Sequence, residues 1–144
     1  MAHESSQYPD KRSFVDYSQS VLDTSKALEQ GAAATGLEVI SPTQNHLSLV
    51  KLPDNVDSLE FQKQLERIGI ITNRNMIPFD TKSAWRPSGM RFGTAALASR
   101  GLTVDQATAI GRLIGDLALQ KVTEEAAQKQ VKDLVSTLAW YYAA

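Results

Sequence analysis

The sequence predicts an α+β fold: a two-layer small domain in which a sheet of three or four mainly antiparallel strands packs against helices, led by a long N-terminal helix. Three observations carry the prediction. Helix-like and strand-like segments follow one another as α, β, β, α, β, β, α, α, so strands adjoin without a helix between each pair. The chain has 144 residues, which suits a single domain spanning 1–144. Its 42% hydrophobic and 22% charged residues match an ordinary globular composition, so a core can form.

The first helix is expected after Pro9, where Phe14, Tyr17, Val21, Leu22, Leu28 and Ala32 recur at spacings that line one side, with Gly31 and Gly36 ending it. Leu37–Ile40 is short and β-prone, the Ser41–Asn45 stretch breaks it, and His46–Leu52 resumes as a strand, giving two neighbours in one sheet. Asp57 stands three residues before Glu60, so a capped helix opens there and runs to Arg67 with Leu59, Phe61 and Leu65 as its apolar face. Ile68–Thr72 is the third strand candidate. The polar stretch from Asn73 to Pro87 is long for a connection in a compact domain, and such loops tend to be functional. Strand alternation returns at Met90-Arg91-Phe92 and sends Arg91 to the face opposite its neighbours. Thr103 and Gln106 form a second capping box for a helix whose stripe is Val104, Ala107, Ile110, Leu113, Ile114 and Leu117, as far as about Lys121. A last helix starts at Glu124 and Glu125 and is expected to reach Trp140.

Composition narrows the function. Fifteen Lys+Arg against sixteen Asp+Glu leave a net charge of −1, without the positive field that phosphate-backbone binding needs, so nucleic acid is not an expected partner. No cysteine is present, which removes disulfides, thiolate metal sites and cysteine nucleophiles. No run approaches the ~18 apolar residues that span a bilayer, and the first residues have neither a basic nor an apolar signal region. A soluble, cytoplasmic protein without a membrane partner is the expectation. His3 and His46 have no local metal spacing, and His46 is read as a structural histidine at a strand start. Neither a P-loop, a Gly-x-Gly-x-x-Gly turn nor a Gly-x-Ser-x-Gly elbow occurs, so nucleotide cradling and nucleophile-elbow hydrolysis lack their required turns, and no metal-binding residue is expected.

The segment from Ile70 to Thr94 stands out, because it is rich in turns yet holds Phe79, Trp85 and two glycines, Gly89 and Gly93, around Arg91. Glycines permit close backbone approach to a ligand, and a strand-held guanidinium presents a planar fork to a carboxylate. The competing reading pairs Arg91 with a surface carboxylate, makes Trp85 a core residue, and makes Asn73 and Asn75 turn residues.

Asn73-Arg74-Asn75-Met76-Ile77-Pro78-Phe79-Asp80, then Pro87-Ser88-Gly89-Met90-Arg91-Phe92-Gly93-Thr94 and Ser99-Arg100-Gly101, resemble the C-terminal small domain of serine hydroxymethyltransferases. The likeness is densest from Ile70 to Leu102 and runs more weakly through nearly all of the chain. That family uses pyridoxal phosphate carried on a lysine to move a one-carbon unit between serine and tetrahydrofolate. By position, the resemblance makes Arg91 the arginine that grips the amino-acid carboxylate and Asn75 the amide that contacts the folate pterin. Ser83 and Trp85 fall on folate-side loop positions, Trp85 where phenylalanine is common. The family's Gly-Gly-Thr-Asp is here Ser41-Pro42-Thr43-Gln44, and its Gly-Thr-Pro-Ala is Gly93-Thr94-Ala95-Ala96.

The family's cofactor lysine follows a histidine in a threonine-rich stretch. None of Lys11, Lys26, Lys51, Lys63, Lys82, Lys121, Lys129 or Lys132 has that context. The resemblance therefore implies that the large cofactor-binding domain is absent, that pyridoxal phosphate belongs to that missing domain, that this chain holds no catalytic or cofactor-binding residue, and that alone it is inactive. Its expected partners are that large domain or a complementing chain, with amino acid and folate bound only in the complete site. Self-association through the uncovered surface is also expected. The alternative is a stand-alone interaction or ligand-binding module derived from the family.

Overall fold

A computed structural model describes residues 11–40, 42–94, 97–98 and 100–138. Helix α1 (Lys11–Ala34) is followed by β1 (Glu38–Val39), β2 (Leu47–Lys51), α2 (Ser58–Arg67), β3 (Asn73–Asn75), β4 (Gly89–Gly93), α3 (Val104–Ala118) and α4 (Glu124–Val135). The strands form one four-stranded antiparallel sheet in the order β1-β2-β4-β3. The α+β layering and the long first helix agree with the sequence.

Strand alternation sorts the sheet into two faces. Ser48, Val50, Met90 and Phe92 point toward the helices and are buried, with Val50 opposite Met90 and Ser48 opposite Phe92. Val50, Met90 and Phe92 join Leu28, Leu37, Leu52, Phe61, Leu65, Ile68, Leu113, Ile114 and Leu117 in the core. Each fully buried large side chain stabilises by about 1.5–3 kcal/mol relative to exposure.

Helices α1 and α3 cross at close range. A Cβ on Gly111 would stand 1.9 Å from the Leu28 carbonyl oxygen, one on Gly115 2.0 Å from Thr35 Oγ1, and one on Gly31 2.2 Å from the Thr108 carbonyl oxygen. Gly31 is thus a contact residue inside α1; the helix passes through it and stops at Ala34, before Gly36 at φ +102°. Polar groups tie α1 to the sheet: the buried Glu29 carboxylate accepts the Thr43 N–H at 3.1 and 3.0 Å, and the Thr94 hydroxyl donates to the Val21 carbonyl at 3.3 Å.

The caps read from sequence are in place. Asp57 accepts from Glu60 N–H at 3.1 Å, and Thr103 and Gln106 exchange bonds of 3.2 and 2.9 Å. Thr123 caps α4 through Ala126 N–H at 3.2 Å, and Arg67 binds Glu124 through two bonds of 2.8 and 3.1 Å, fastening α2 to α4.

The third strand lies later than expected. Ile68–Thr72 is not strand, because the chain leaves α2 in a turn with Gly69 at φ +96° and Ile70 N–H bonded to the Leu65 carbonyl at 2.8 Å. Ile68 and Ile70 pack on the core from that turn, Ile71 is 80% exposed, and pairing begins only at Asn73. Helix α3 ends at Ala118 and α4 at Val135, while Trp140 lies outside the described residues. Val104 is exposed and Leu59 half-buried, so neither belongs to the core as expected.

Candidate functional site

The helices cover one side of the sheet. The other side carries Leu47, Leu49, Lys51, Asn73, Asn75 and Arg91, with Gly89 and Gly93, and among the described residues no helix lies over it. Arg91 stands near its centre, opposite Leu49 on β2 and Asn73 on β3. It is exposed, and no described residue hydrogen-bonds or pairs with its guanidinium. The ion pair that the competing reading needed is absent among the described residues.

Arg91 is flanked along its own strand by glycines on the same face. Over Gly89 lie Leu49, Ile77 and the Asn75 carbonyl, since a Cβ there would meet Asn75 O at 2.5 Å, Ile77 Cγ2 at 2.8 Å and Leu49 Cδ1 at 3.2 Å. Gly93 is open, its nearest neighbour on that side being Leu47 Cδ2, 3.4 Å from an added Cβ. The guanidinium therefore rises from a shallow trough walled by Leu47, Leu49 and Ile77. Asn75 lies diagonal to Arg91 on the same face, opposite Gly89; it is half-buried and donates from Nδ2 to the Met76 carbonyl at 2.8 Å. Asn73 and Asn75 are strand residues, not turn residues.

The following loop is folded around Asp80. Its carboxylate accepts N–H bonds from Ser88 at 2.8 Å, Lys82 at 2.9 Å and Ile77 at 3.3 Å, and the Ser88 hydroxyl at 2.7 Å. These donors, the Ser88 N–H foremost, hold the Asp80 carboxyl well below the usual carboxylate range. Phe79, just before it, has φ +59° and a fully exposed ring.

Trp85 is exposed, with the Arg74 guanidinium 5.1 Å from its ring centroid, within cation–π range. Arg74 pairs in register with Met90, so it belongs to the face opposite Asn75 and Arg91. Ser83 is exposed, its hydroxyl accepting from Arg86 N–H at 3.3 Å, and it lines a cleft of about 400 Å³ with Asp54, Asp57, Ser58, Lys82 and Arg86. There Arg86 pairs with Asp57, whose carboxyl is held below its ordinary value by the Glu60 N–H and by this arginine. The fold thus brings Arg91 and Asn75 to one face and sets Ser83 with the α2 N-terminus and Trp85 with Arg74.

No described residues gather three metal-ligating side chains, and no described helix is long and apolar enough to cross a membrane. His46 is exposed; its carbonyl accepts the Thr94 N–H at 3.2 Å. Lys51, Lys63, Lys82 and Lys121 bind Glu38, Glu60 or the Asp54 and Thr35 carbonyls, while Lys26, Lys129 and Lys132 are exposed. An apolar groove of about 390 Å³ between Ile70, Ile110 and Leu134 has no lysine, serine or arginine on its walls. That groove therefore offers no lysine or phosphate-binding side chain to an aldehyde cofactor, and no cofactor step is assigned to this chain.

Sequence missed two features. Asp80 gives no motif, because its partners are mostly backbone groups; only its Asx-turn spacing to Lys82 hints at it. Asn73 was read as loop, and its position beside Arg91 follows from the register alone.

A one-sided α+β sheet with an exposed arginine on its open face defines the fold class of this chain. The family model for serine hydroxymethyltransferase matches residues 6–114. Serine hydroxymethyltransferase of Anaplasma marginale (strain Florida) is 36% identical over 148 residues, covering 96% of this chain and 34% of the relative. That of Myxococcus xanthus is 36% identical over 128 residues, covering 88% and 30%, and serine hydroxymethyltransferase 2 of Rhodospirillum rubrum is 39% identical over 131 residues, covering 87% and 30%. The chain belongs to the serine hydroxymethyltransferase family, and it spans about a third of the length of these relatives.

Proposed function

We propose that this chain supplies the amino-acid-carboxylate and folate contacts of a serine–glycine hydroxymethyltransferase whose remaining two-thirds carries the pyridoxal phosphate. The single observation that carries the reading is Arg91: exposed, unpaired and standing on the open sheet face of a chain that spans a third of its relatives. An exposed arginine without a carboxylate partner keeps its full fork for a ligand carboxylate. Asn75, diagonal to it, offers an amide to the mixed donor and acceptor edge of a pterin. Ser83 and Trp85 serve the folate side from the loop, and the Asp80 clasp gives that loop a fixed shape. The cofactor supplies the electron sink; this chain's part is to bind and orient. Alone it is inactive, and a cytoplasmic setting fits its lack of cysteine.

The test is co-expression with the other two-thirds of the Rhodospirillum rubrum relative. Restored serine-to-glycine turnover that Arg91→Ala removes supports the reading. A stable complex whose activity is indifferent to Arg91 overturns it. A second reading, an interaction module without catalysis, is favoured by the exposed Ile71, Met76, Phe79 and Trp85. Calorimetry with serine, glycine and a reduced folate separates the two, since tight binding to this chain alone favours the module.

A further inference from the structure

We propose that Asn73 is a second substrate-positioning residue, holding the amino-acid carboxylate together with Arg91. The inference rests on the carboxylate role of Arg91 given above and goes one residue further. Asn73 and Arg91 are directly opposed on β3 and β4, and both side chains stand on the open face. Opposed residues of an antiparallel pair have Cβ atoms about 4.5–5.5 Å apart, so a ligand oxygen held by the guanidinium lies within reach of the Asn73 amide. Both are exposed, and no described residue bonds either side chain.

The chemistry at position 73 is restrictive. A carboxylate opposite Arg91 would occupy the fork and repel the ligand, and a lysine there would push the guanidinium away. An apolar residue would leave the arginine accessible but add no donor. A neutral amide leaves Arg91 unquenched and adds an N–H to the carboxylate. Directly across on β2 stands apolar Leu49, with Leu47 beside Gly93, while Lys51, opposite Gly89, lies 3.9 Å from the carboxylates of Glu38 and Asp54. The residues directly flanking Arg91 thus differ: an amide donor at Asn73 that fixes the carboxylate, and an apolar side chain at Leu49 that cannot. This asymmetry sets the rotation of the bound amino acid about the guanidinium.

The test uses this chain, isotopically labelled and assembled with the other two-thirds of the Rhodospirillum rubrum relative, titrated to about 100 mM with L-serine and separately with acetate, reading the Arg91 Nε–H and Asn73 side-chain NH₂ resonances. Both resonances are expected to shift with one saturable isotherm. Asn73→Ala should weaken it at least threefold, Asn73→Gln should restore most of it, and Asn73→Asp should abolish it while moving the Arg91 Nε–H signal in the free protein. Unchanged backbone amide spectra show that each variant is folded. If Asn73→Ala leaves the isotherm unaltered while Arg91→Ala removes it, the role of Asn73 is overturned and that of Arg91 stands. If no saturable shift dependent on Arg91 occurs, the carboxylate reading itself falls, and Asn73 with it.

Discussion

Asp80 shows how one side chain fixes a loop that local propensity leaves open. Four donors from Ile77, Lys82 and Ser88 converge on its carboxylate, so residues 77–88 close into a ring before β4 begins. Asp80→Asn keeps the size but removes the charge and turns one acceptor into a donor facing N–H groups. Hydrogen bonds to a charged group contribute about 1.5–3 kcal/mol each in favourable settings, and solvent reduces that here, so a loss of about 1–2 kcal/mol in denaturant unfolding is expected. The pH dependence has a definite sign. Asp80, Asp57 and Glu124 all have carboxyls held below their ordinary values, by the N–H donors of Ser88, by that of Glu60 and by Arg67 respectively. Their stabilisation is present in full above the unfolded-state value and is lost as pH falls through the folded one. Unfolding midpoints should therefore be flat down to about pH 5 and decline below about pH 4; the decline should shrink in Asp80→Asn. Arg91 was legible at this scale because alternation around Met90 and Phe92 leaves it only one face. Asp80 was not, because three of its four donors are backbone N–H groups that no sequence pattern marks.

At the scale of elements, the contact between α1 and α3 depends on three glycines. Gly111→Ala should be the sharpest probe, as its methyl meets the Leu28 carbonyl, which is backbone and cannot swing aside. Alanine gains helix propensity, yet the overpacking dominates; a net loss on the order of 3 kcal/mol and a fall in Tm of about 10 °C by calorimetry are expected. The element order was legible from periodicity, and the caps at Asp57 and Thr103 from their own residues. Strand β3 was not. The β-branched run Ile70-Ile71-Thr72 has the propensity of a strand but is spent on leaving α2, whereas Asn73-Arg74-Asn75 is polar because an edge strand with one open face has little to bury. Tertiary register, not intrinsic preference, decides where pairing starts.

For the whole molecule, the uncovered face has an energetic consequence. Leu47 and Leu49 on the sheet, and Ile71, Met76, Phe79 and Trp85 around its β3 edge, leave apolar surface in water. The isolated chain should self-associate at high concentration, seen as a sedimentation coefficient that rises with loading; a monomer throughout the range would count against a missing cover. Leu49→Lys, on that face, should lower the association.

The ends of the sheet govern what form such clustering takes. β1 has two residues and β3 three, Arg74 sits within β3, and Pro78 follows soon after. Rims so short and so charged give an incoming strand almost nothing to zip onto. Aggregates of this chain should consequently be amorphous and dissolve on dilution, and they should leave thioflavin T dark.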